Sequence, residues 1–287
     1  SGLAAEKAEI PWVSYVDYFL DETLTAGESQ IEWWNALRAR LGLSAETRPA
    51  TEARWFAMSS HLTLVFGLPC LGLQGRRLPS YVREVGPITW DPPYRGDPPL
   101  WLDELGRHRP AILISTSSLW LGDADLVTIT AEALAGESCD LVATLPAQQD
   151  LPQLPNDVMV SSYLPHSLLL PKVDLVVCSG GLGVTTKALL AGIPVVAVPR
   201  GLDGYSVTRA AVASGAALAV DHRTLRPGDL RDVLLHALSD EGLRTSALVL
   251  ANAGKEYDSA TTSADLIEGL LRRSLGIGAP RAAIPDV

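Results

Sequence analysis

Cysteine is scarce in this sequence, and the few cysteines lack the spacing of a metal site. Cys70, Cys139 and Cys178 are odd in number, lie far apart, and form neither a CxxC pair nor a Cys/His ligand pattern. We therefore interpret them as free thiols and expect a reducing, cytoplasmic compartment.

Long apolar runs are also missing. The best candidate, residues 167–178, is interrupted by Pro171, Lys172 and Asp174, and it is shorter than the roughly 18 residues that a transmembrane helix needs. Residues 1–11 show no charged segment followed by an apolar one. The sequence therefore predicts neither a membrane span nor an export signal.

Positive charge is in short supply. The 287 residues carry a formal net charge of -10, and no local stripe of lysine and arginine offsets it. Such a surface repels a phosphate backbone, so we expect no nucleic-acid partner. A hydrophobic fraction of 47% against 20% charged residues nevertheless predicts a well-folded protein.

Proline is concentrated in one segment, residues 91–99, which contains four prolines and one glycine among polar residues. This composition is typical of a semi-rigid linker. Before it we predict strands at 10–15, 61–73 and 81–88 and a helix at 32–41. The predicted organisation is a domain at 1–90, the linker at 91–99, and a second domain at 100–287 with a closing C-terminal helix.

Short apolar strands alternate with helices after the linker. The strands show no in/out alternation, which is typical of a parallel sheet covered on both faces, and we therefore predict a doubly wound α/β domain. The predicted strands are 111–115, 140–144, 158–161, 173–178, 194–198 and 216–220. The predicted helices are 100–106, 123–135, 166–170, 184–191, 206–214, 227–239, 241–251 and 260–274.

A glycine-rich run, Cys-Ser-Gly-Gly-Leu-Gly-Val-Thr-Thr-Lys at residues 178–187, joins a predicted buried strand to the next helix. The free N–H groups and positive dipole end of a helix can bind a diphosphate there, and glycine allows close approach. The run is neither a Walker A loop nor a dinucleotide fingerprint on a first strand. The alternative is a tight turn with a purely structural role.

This run belongs to an ordered set of motifs that resembles the donor site of GT-B glycosyltransferases. The resemblance is nearest to bacterial natural-product transferases of the UDP-glycosyltransferase-like superfamily. It implies two Rossmann-like doubly wound domains, of which the N-terminal one is incomplete in this sequence. The motifs are residues 162–166, 169–171, 174–183, 191–194, 198–199 and Asp203.

The resemblance implies a role for each part of the donor site. Tyr163 stands where a ring stacks on the nucleobase, Leu164 where backbone groups meet the base edge, and Asp203 where an acid binds sugar hydroxyls. The alternatives are a core aromatic for Tyr163 and a solvated loop residue for Asp203. The diphosphate positions are Ser117, Ser118, Gly181, Gly183, Val184 and Thr185.

Three further donor-site positions depart from the pattern. Ser179 stands where many relatives have a histidine, Lys187 where many have a glutamate that holds the ribose, and Gly204 where a glutamine is usual. These departures leave the nucleotide and the sugar open. The resemblance also places the family's catalytic histidine and its orienting aspartate in the early N-terminal domain, outside this sequence, so the catalytic residues are unknown.

The function implied is transfer of a sugar from a UDP- or dTDP-sugar to a hydroxyl of a small-molecule acceptor, with inversion and without metal or cofactor. A homodimer and a lipid acceptor at a membrane surface stay open as partners. The main alternative is a non-catalytic homologue that binds a nucleotide or a partner protein. A related sugar-nucleotide 2-epimerase would need several convergent charged residues, which the sequence does not indicate.

Overall fold

The computed structural model describes residues 2–16, 28–47, 58–68, 78–117, 124–145, 154 and 158–276. The chain divides into two compact units. The first comprises Ser1–Gly67, Gly75–Ile88 and Tyr257–Val287, and the second comprises Leu68–Gln74 and Thr89–Glu256. In the described part of the chain, no helix is long and apolar enough to cross a membrane.

The first unit contains a parallel sheet of three strands in the order β1-β2-β3. The strands are β1 (Val13–Val16), β2 (Leu62–Val65) and β3 (Val82–Glu84). The helices of this unit are α1 (Gly2–Lys7), α2 (Glu28–Arg40) and α9 (Ser259–Leu275). Every residue of β2 is buried, as expected for the central strand of a parallel sheet.

Helix α9 belongs to the first unit, whereas the sequence prediction assigned residues 100–287 to the second domain. The physical reason is packing: Leu266 and Leu270 lie against the buried cluster of Leu62, Leu64 and Val85. The predicted boundaries at residues 90 and 99 stay predictions. Helix α1 has no counterpart in the sequence prediction, and residues 69–73 of the predicted strand 61–73 lie outside the described residues.

The second unit contains a six-stranded, all-parallel sheet in the order β6-β5-β4-β7-β8-β9. The strands are β4 (Ala111–Ser115), β5 (Asp140–Thr144), β6 (Val158–Ser161), β7 (Leu175–Cys178), β8 (Val195–Ala197) and β9 (Ala217–Ala219). The helices are α3 (Asp125–Ala133), α4 (His166–Leu169), α5 (Leu182–Leu190), α6 (Leu202–Ala213), α7 (Pro227–Ser239) and α8 (Glu241–Gly254). This is the predicted doubly wound α/β domain, and the prediction is confirmed.

The strand order reverses between β4 and β7, which are hydrogen-bonded neighbours in the sheet. From β4 the chain builds outward through β5 and β6, and from β7 it builds outward on the other side. The switch point therefore lies at the carboxyl ends of β4 and β7. Open α/β sheets bind their ligands at such a switch point.

Helices α5 and α6 begin earlier than predicted. Helix α5 begins at Leu182, two residues before the predicted start, so it takes Gly183 into its first turn. Helix α6 begins at Leu202, directly after Gly201 with φ +92, and it includes Asp203 and Gly204, which the sequence placed in a loop. The predicted helix 100–106 is a single 3₁₀ turn, Leu100–Asp103.

Candidate functional site

The loops after β4 and β7 carry the residues of the predicted diphosphate site. Ser117 lies two residues beyond the end of β4, and Ser118 lies outside the described residues. After β7, Ser179 and Gly180 are buried, and Gly181 then caps α5. The switch point therefore brings Ser117, Ser179 and the first turn of α5 to one edge of the sheet.

Gly180 and Gly204 let two backbones approach each other closely. Gly180 has φ +75, and a Cβ there would collide with Thr208 Oγ1 and lie 2.9 Å from Gly204 O. A Cβ on Gly204 would in turn lie 3.0 Å from Ser179 O. The close contact between this loop and α6 explains why glycine stands at position 204.

The first turn of α5 presents uncapped backbone N–H groups. Gly181 is the N-cap, and glycine has no side chain with which to cap the helix. The N–H groups of Leu182, Gly183 and Val184 have no intrahelical acceptor at this end of a helix. Among the described residues, a Cβ added to Gly181 or Gly183 would meet nothing within 4 Å, so there is open space beside these two glycines.

Thr185 faces away from that open space. Its N–H donates to Gly181 O at 3.1 Å, and its buried side chain lies with Oγ1 3.8 Å from Cys178 Sγ. The structure thus places Thr185 in the predicted segment but directs its side chain toward the core. The N–H groups available to an anion are those of the three residues before it.

Tyr163 lies between β6 and α4 with 47% of its surface exposed. Its carbonyl accepts a hydrogen bond of 2.9 Å from Ser161 Oγ, and the next residue, Leu164, is only 2% exposed. The buried leucine anchors the segment while the tyrosine ring remains accessible. This arrangement fits a stacking surface better than core packing.

Lys187 of α5 forms an ion pair with Asp91, at the start of the predicted linker. Its Nζ also donates to Trp90 O at 3.1 Å, and the other carboxylate oxygen of Asp91 accepts the Ser167 N–H at 2.8 Å. Asp91 thereby connects α4 to α5. Sequence reasoning missed Asp91, because nothing local marks a residue whose partner is 96 positions away.

The charges of Asp91 and Lys187 shift the pKa values of the titratable groups near them. Burial would raise the pKa of Asp91, but hydrogen bonds from Lys187 and Ser167 and the charge of Lys187 hold it below its ordinary range. Burial and then the charge of Lys187 lower the pKa of His166. Partial desolvation and then the charge of Asp91 raise the pKa of Tyr163.

His166 is the first residue of α4, and its Nε2 lies 3.5 Å from Ser115 Oγ at the end of β4. The sequence analysis includes His166 in the motif of residues 162–166 but assigns it no role of its own. The structure places it between the ends of the sheet strands and the Asp91–Lys187 pair, where both charges act on it. Only the fold reveals this proximity, because the sequence spacing does not.

Of the remaining predicted site residues, Asp203 lies with Gly204 in the first turn of α6, which follows β8. Among the described residues, no group of three or more His, Cys, Asp and Glu side chains could hold a metal ion.

Comparison with known proteins agrees with this geometry. Residues 129–268 match the family described as erythromycin biosynthesis protein CIII-like, C-terminal domain. The chain is therefore similar to natural-product glycosyltransferases in sequence, and it has the GT-B fold. A curated relative, 4'-demethylrebeccamycin synthase from Lentzea aerocolonigenes, is 31% identical over 238 residues, which are 83% of this chain and 56% of that protein.

Two solved structures share the fold. The glycotransferase of kitacinnamycin has a TM-score of 0.75 at 20% identity, covering 94% of this chain and 73% of that one. Glycosyltransferase VinC, solved in complex with dTDP, has a TM-score of 0.71 at 24% identity, and the match covers 95% of this chain and 69% of VinC. The GT-B fold predicted from the sequence is confirmed. The match to the curated relative covers only 56% of that protein, so the chain spans about half of its length.

Proposed function

We propose that this chain binds the donor for an enzyme that transfers a sugar from a UDP- or dTDP-sugar to a hydroxyl of a small-molecule acceptor. The observation that carries the proposal is the first turn of α5 at the switch point, which begins at a glycine N-cap and has open space beside Gly181 and Gly183 in the described part of the structure. The proteins that share the fold support sugar transfer rather than nucleotide binding alone, since two are glycosyltransferases and one of these was solved in complex with dTDP.

In the proposed reaction, the acceptor hydroxyl attacks the anomeric carbon from the face opposite the diphosphate. The bond from that carbon to the phosphate oxygen breaks, the nucleoside diphosphate leaves with the electron pair, and the hydroxyl proton passes to a general base. This geometry inverts the anomeric configuration. Negative charge develops on the leaving diphosphate, where preorganised N–H groups stabilise it most in the transition state.

The N–H groups of Leu182, Gly183 and Val184 would meet that charge, together with the positive end of the α5 dipole. We propose that no metal or other cofactor takes part in donor binding, because the helix terminus itself supplies the donors. Tyr163 would support the base, and Asp203 would contact the sugar.

Titration calorimetry on the intact chain tests the donor site. We expect UDP or dTDP to bind more tightly than AMP or NAD, because the site combines a stacking ring with a helix terminus and has no dinucleotide fingerprint. NAD binding tighter than both diphosphates would overturn the proposal.

Mass spectrometry of a small acceptor incubated with the preferred nucleotide sugar tests transfer itself. A product heavier by one sugar residue supports the enzyme. Because the resemblance places the catalytic histidine outside this sequence, the assay uses a protein that also carries that histidine. Tight nucleotide binding with no transfer by that protein supports the binding-only alternative. The homodimer and the lipid acceptor stay predictions, which light scattering and assays with lipid vesicles would check.

A further inference from the structure

The Asp91 carboxylate bridges two helices that carry different parts of the proposed donor site. Lys187 of α5 donates to Asp91 Oδ1 and, at 3.1 Å, to Trp90 O. Ser167 of α4 donates its N–H to Asp91 Oδ2 at 2.8 Å, and its side chain also hydrogen-bonds the carboxylate. Among the described residues, α4 and α5 share no direct hydrogen bond, so Asp91 is the bridge between them.

Each of these helices follows one half of the proposed donor site. Tyr163, the proposed base platform, lies three residues before His166, the first residue of α4. Gly183, at the proposed diphosphate position, lies about one helical turn before Lys187 in α5. The two halves follow β6 and β7, which are separated in the sheet by β5 and β4. A bridge between α4 and α5 therefore acts on the spacing between the two halves.

The bridge is charged and largely withdrawn from water. The Asp91 side chain is 14% exposed and that of Lys187 is 20% exposed. Burial acts to raise the pKa of Asp91, but hydrogen bonds from Lys187 and Ser167 hold it below its ordinary range, so the carboxylate is ionised at neutral pH. Such a pair adds little net stability, because desolvation offsets much of the attraction. Its charge-assisted hydrogen bonds nevertheless restrict where the two helices can lie.

The spacing between the two halves matters only for a ligand that contacts both. In a nucleoside diphosphate the base and the diphosphate are joined covalently, so binding of one part brings the other close to its own subsite. This gain requires subsites at the distance that the ligand spans, and an error of about 1 Å is enough to reduce it greatly. Uridine or inorganic pyrophosphate alone contacts one half and gains nothing from the spacing.

We propose that Asp91 is a positioning residue, which holds α4 and α5 together and thereby fixes the spacing between the base half and the diphosphate half of the donor site. This inference rests on the proposed function, since it concerns the same donor. Asp91 then strengthens the binding of a whole nucleoside diphosphate more than the binding of its separate parts. The role requires no contact between Asp91 and the nucleotide.

The test compares the affinity for UDP, uridine and inorganic pyrophosphate in the wild type and in the double variant Asp91→Ala/Lys187→Met. The double variant keeps the net charge and leaves neither charge buried without its partner. We expect it to bind UDP about tenfold more weakly, whereas its affinity for uridine and for pyrophosphate should change less than about twofold. Calorimetry measures UDP binding, and ligand-observed NMR titration measures the weaker binding of the fragments.

The matched control is Glu137→Ala/Arg231→Met, which removes another ion pair of the second unit. Glu137 lies just before the amino end of β5, whereas the proposed donor site lies at the carboxyl ends of the strands. This control should change the affinity for all three ligands less than about twofold. Thermal unfolding checks the fold of each variant. Asp91→Asn, which keeps the shape of the side chain without its charge, allows the same comparison if the double variant does not fold.

The outcomes separate this inference from the proposed function. If the wild type binds UDP but the loss of Asp91 weakens the binding of UDP and of the fragments by the same factor, or leaves UDP affinity unchanged, this inference is overturned and the proposed function stands. The same selective loss of UDP affinity in the control would also overturn it. If no nucleoside diphosphate binds the wild type, both are overturned.

Discussion

Gly180 and Gly181 are adjacent in one turn, but glycine has a different role at each position. Gly180 has φ +75, and an added Cβ would meet Thr208 Oγ1 and the Gly204 carbonyl. Gly181 has φ -61, which any residue adopts, and an added Cβ would meet none of the described residues within 4 Å. Gly180 therefore shapes the turn, whereas Gly181 and Gly183 keep the space before the helix open.

We predict that Gly181→Val and Gly183→Val weaken UDP binding by at least about tenfold, because a side chain would occupy the space that the diphosphate needs. Both variants should unfold at nearly the wild-type temperature. Gly180→Ala is the contrasting variant and should destabilise the fold, since the left-handed conformation alone costs a non-glycine residue about 1–2 kcal/mol. Thermal unfolding and calorimetry on the same preparations check this. Normal UDP binding by both valine variants would show that the turn is merely structural.

His166 links protonation to stability at the same edge of the sheet. Its pKa lies below the ordinary value of 6.5, first because of burial and second because of the charge of Lys187. Asp91 opposes this shift. Below pH 6.5, His166 therefore binds a proton in the unfolded chain, whereas in the folded chain it stays neutral until the pH reaches its lower pKa. The free energy of unfolding should decrease as pH falls from 6.5 through the folded pKa.

We predict that His166→Gln removes this contribution, so the variant loses less stability than the wild type between pH 7.5 and pH 5. Urea denaturation at the two pH values measures the difference, and other titrating groups cancel in the comparison. His108→Gln, at an exposed position in a turn, is the control and should behave as the wild type does. An identical pH dependence for His166→Gln and the wild type would contradict the coupling.

At the scale of elements, the second unit was largely predictable from the sequence because its strands are mostly apolar. The predicted strands 111–115, 140–144 and 158–161 coincide with β4, β5 and β6. Parallel strands buried on both faces leave continuous apolar runs with clear ends.

The starts of α5 and α6 were harder to predict, and these are the helix ends that form the site. Glycine has low propensity in helix interiors, so the sequence placed Gly183 and Gly204 in loops. The N-cap and first-turn positions tolerate glycine, because their N–H groups lack intrahelical partners in any case. The start of α6 also depends on Gly201 with φ +92, a conformation that cannot be read from local propensity.

Helix α5 leads to a prediction about metals. If its N–H groups and dipole hold the diphosphate, UDP affinity should change less than about twofold when EDTA replaces Mg²⁺. Calorimetry in the two buffers measures this, with a metal-dependent nucleotide-binding protein as the control for chelation. Loss of UDP binding in EDTA that Mg²⁺ or Mn²⁺ restores would contradict a metal-free donor site.

At the scale of the whole molecule, pairings between distant parts of the chain were not predictable. The ion pair of Asp91 with Lys187 spans 96 residues, and α9 joins a sheet that precedes it by nearly 200 residues of sequence. Neither pairing leaves a local pattern, because a salt bridge or an apolar stripe does not specify its partner. The sequence thus predicted Lys187 as a site residue but not Asp91, and predicted α9 as a helix but not its unit.

Helix α9 presents two different faces, and neighbouring leucines separate them. Leu270 packs against the cluster of Leu62, Leu64 and Val85 in the first unit, whereas Leu271 is 53% exposed. Removing Leu270 would leave a gap beside β2, and removing Leu271 would take away surface that already faces water. The proposed donor site belongs wholly to the second unit, so neither change touches it.

We therefore predict that Leu270→Ala lowers the free energy of unfolding by about 1–2 kcal/mol, below the range for a fully buried leucine because the side chain is only partly buried. Leu271→Ala, the matched control on the same helix, should cost under about 0.5 kcal/mol. UDP affinity should be unchanged in both. Urea denaturation followed by circular dichroism, with calorimetry on the same samples, makes the comparison. Equal destabilisation by the two variants would contradict the packing of α9 in the first unit, and loss of UDP binding in folded Leu270→Ala would contradict a donor site confined to the second.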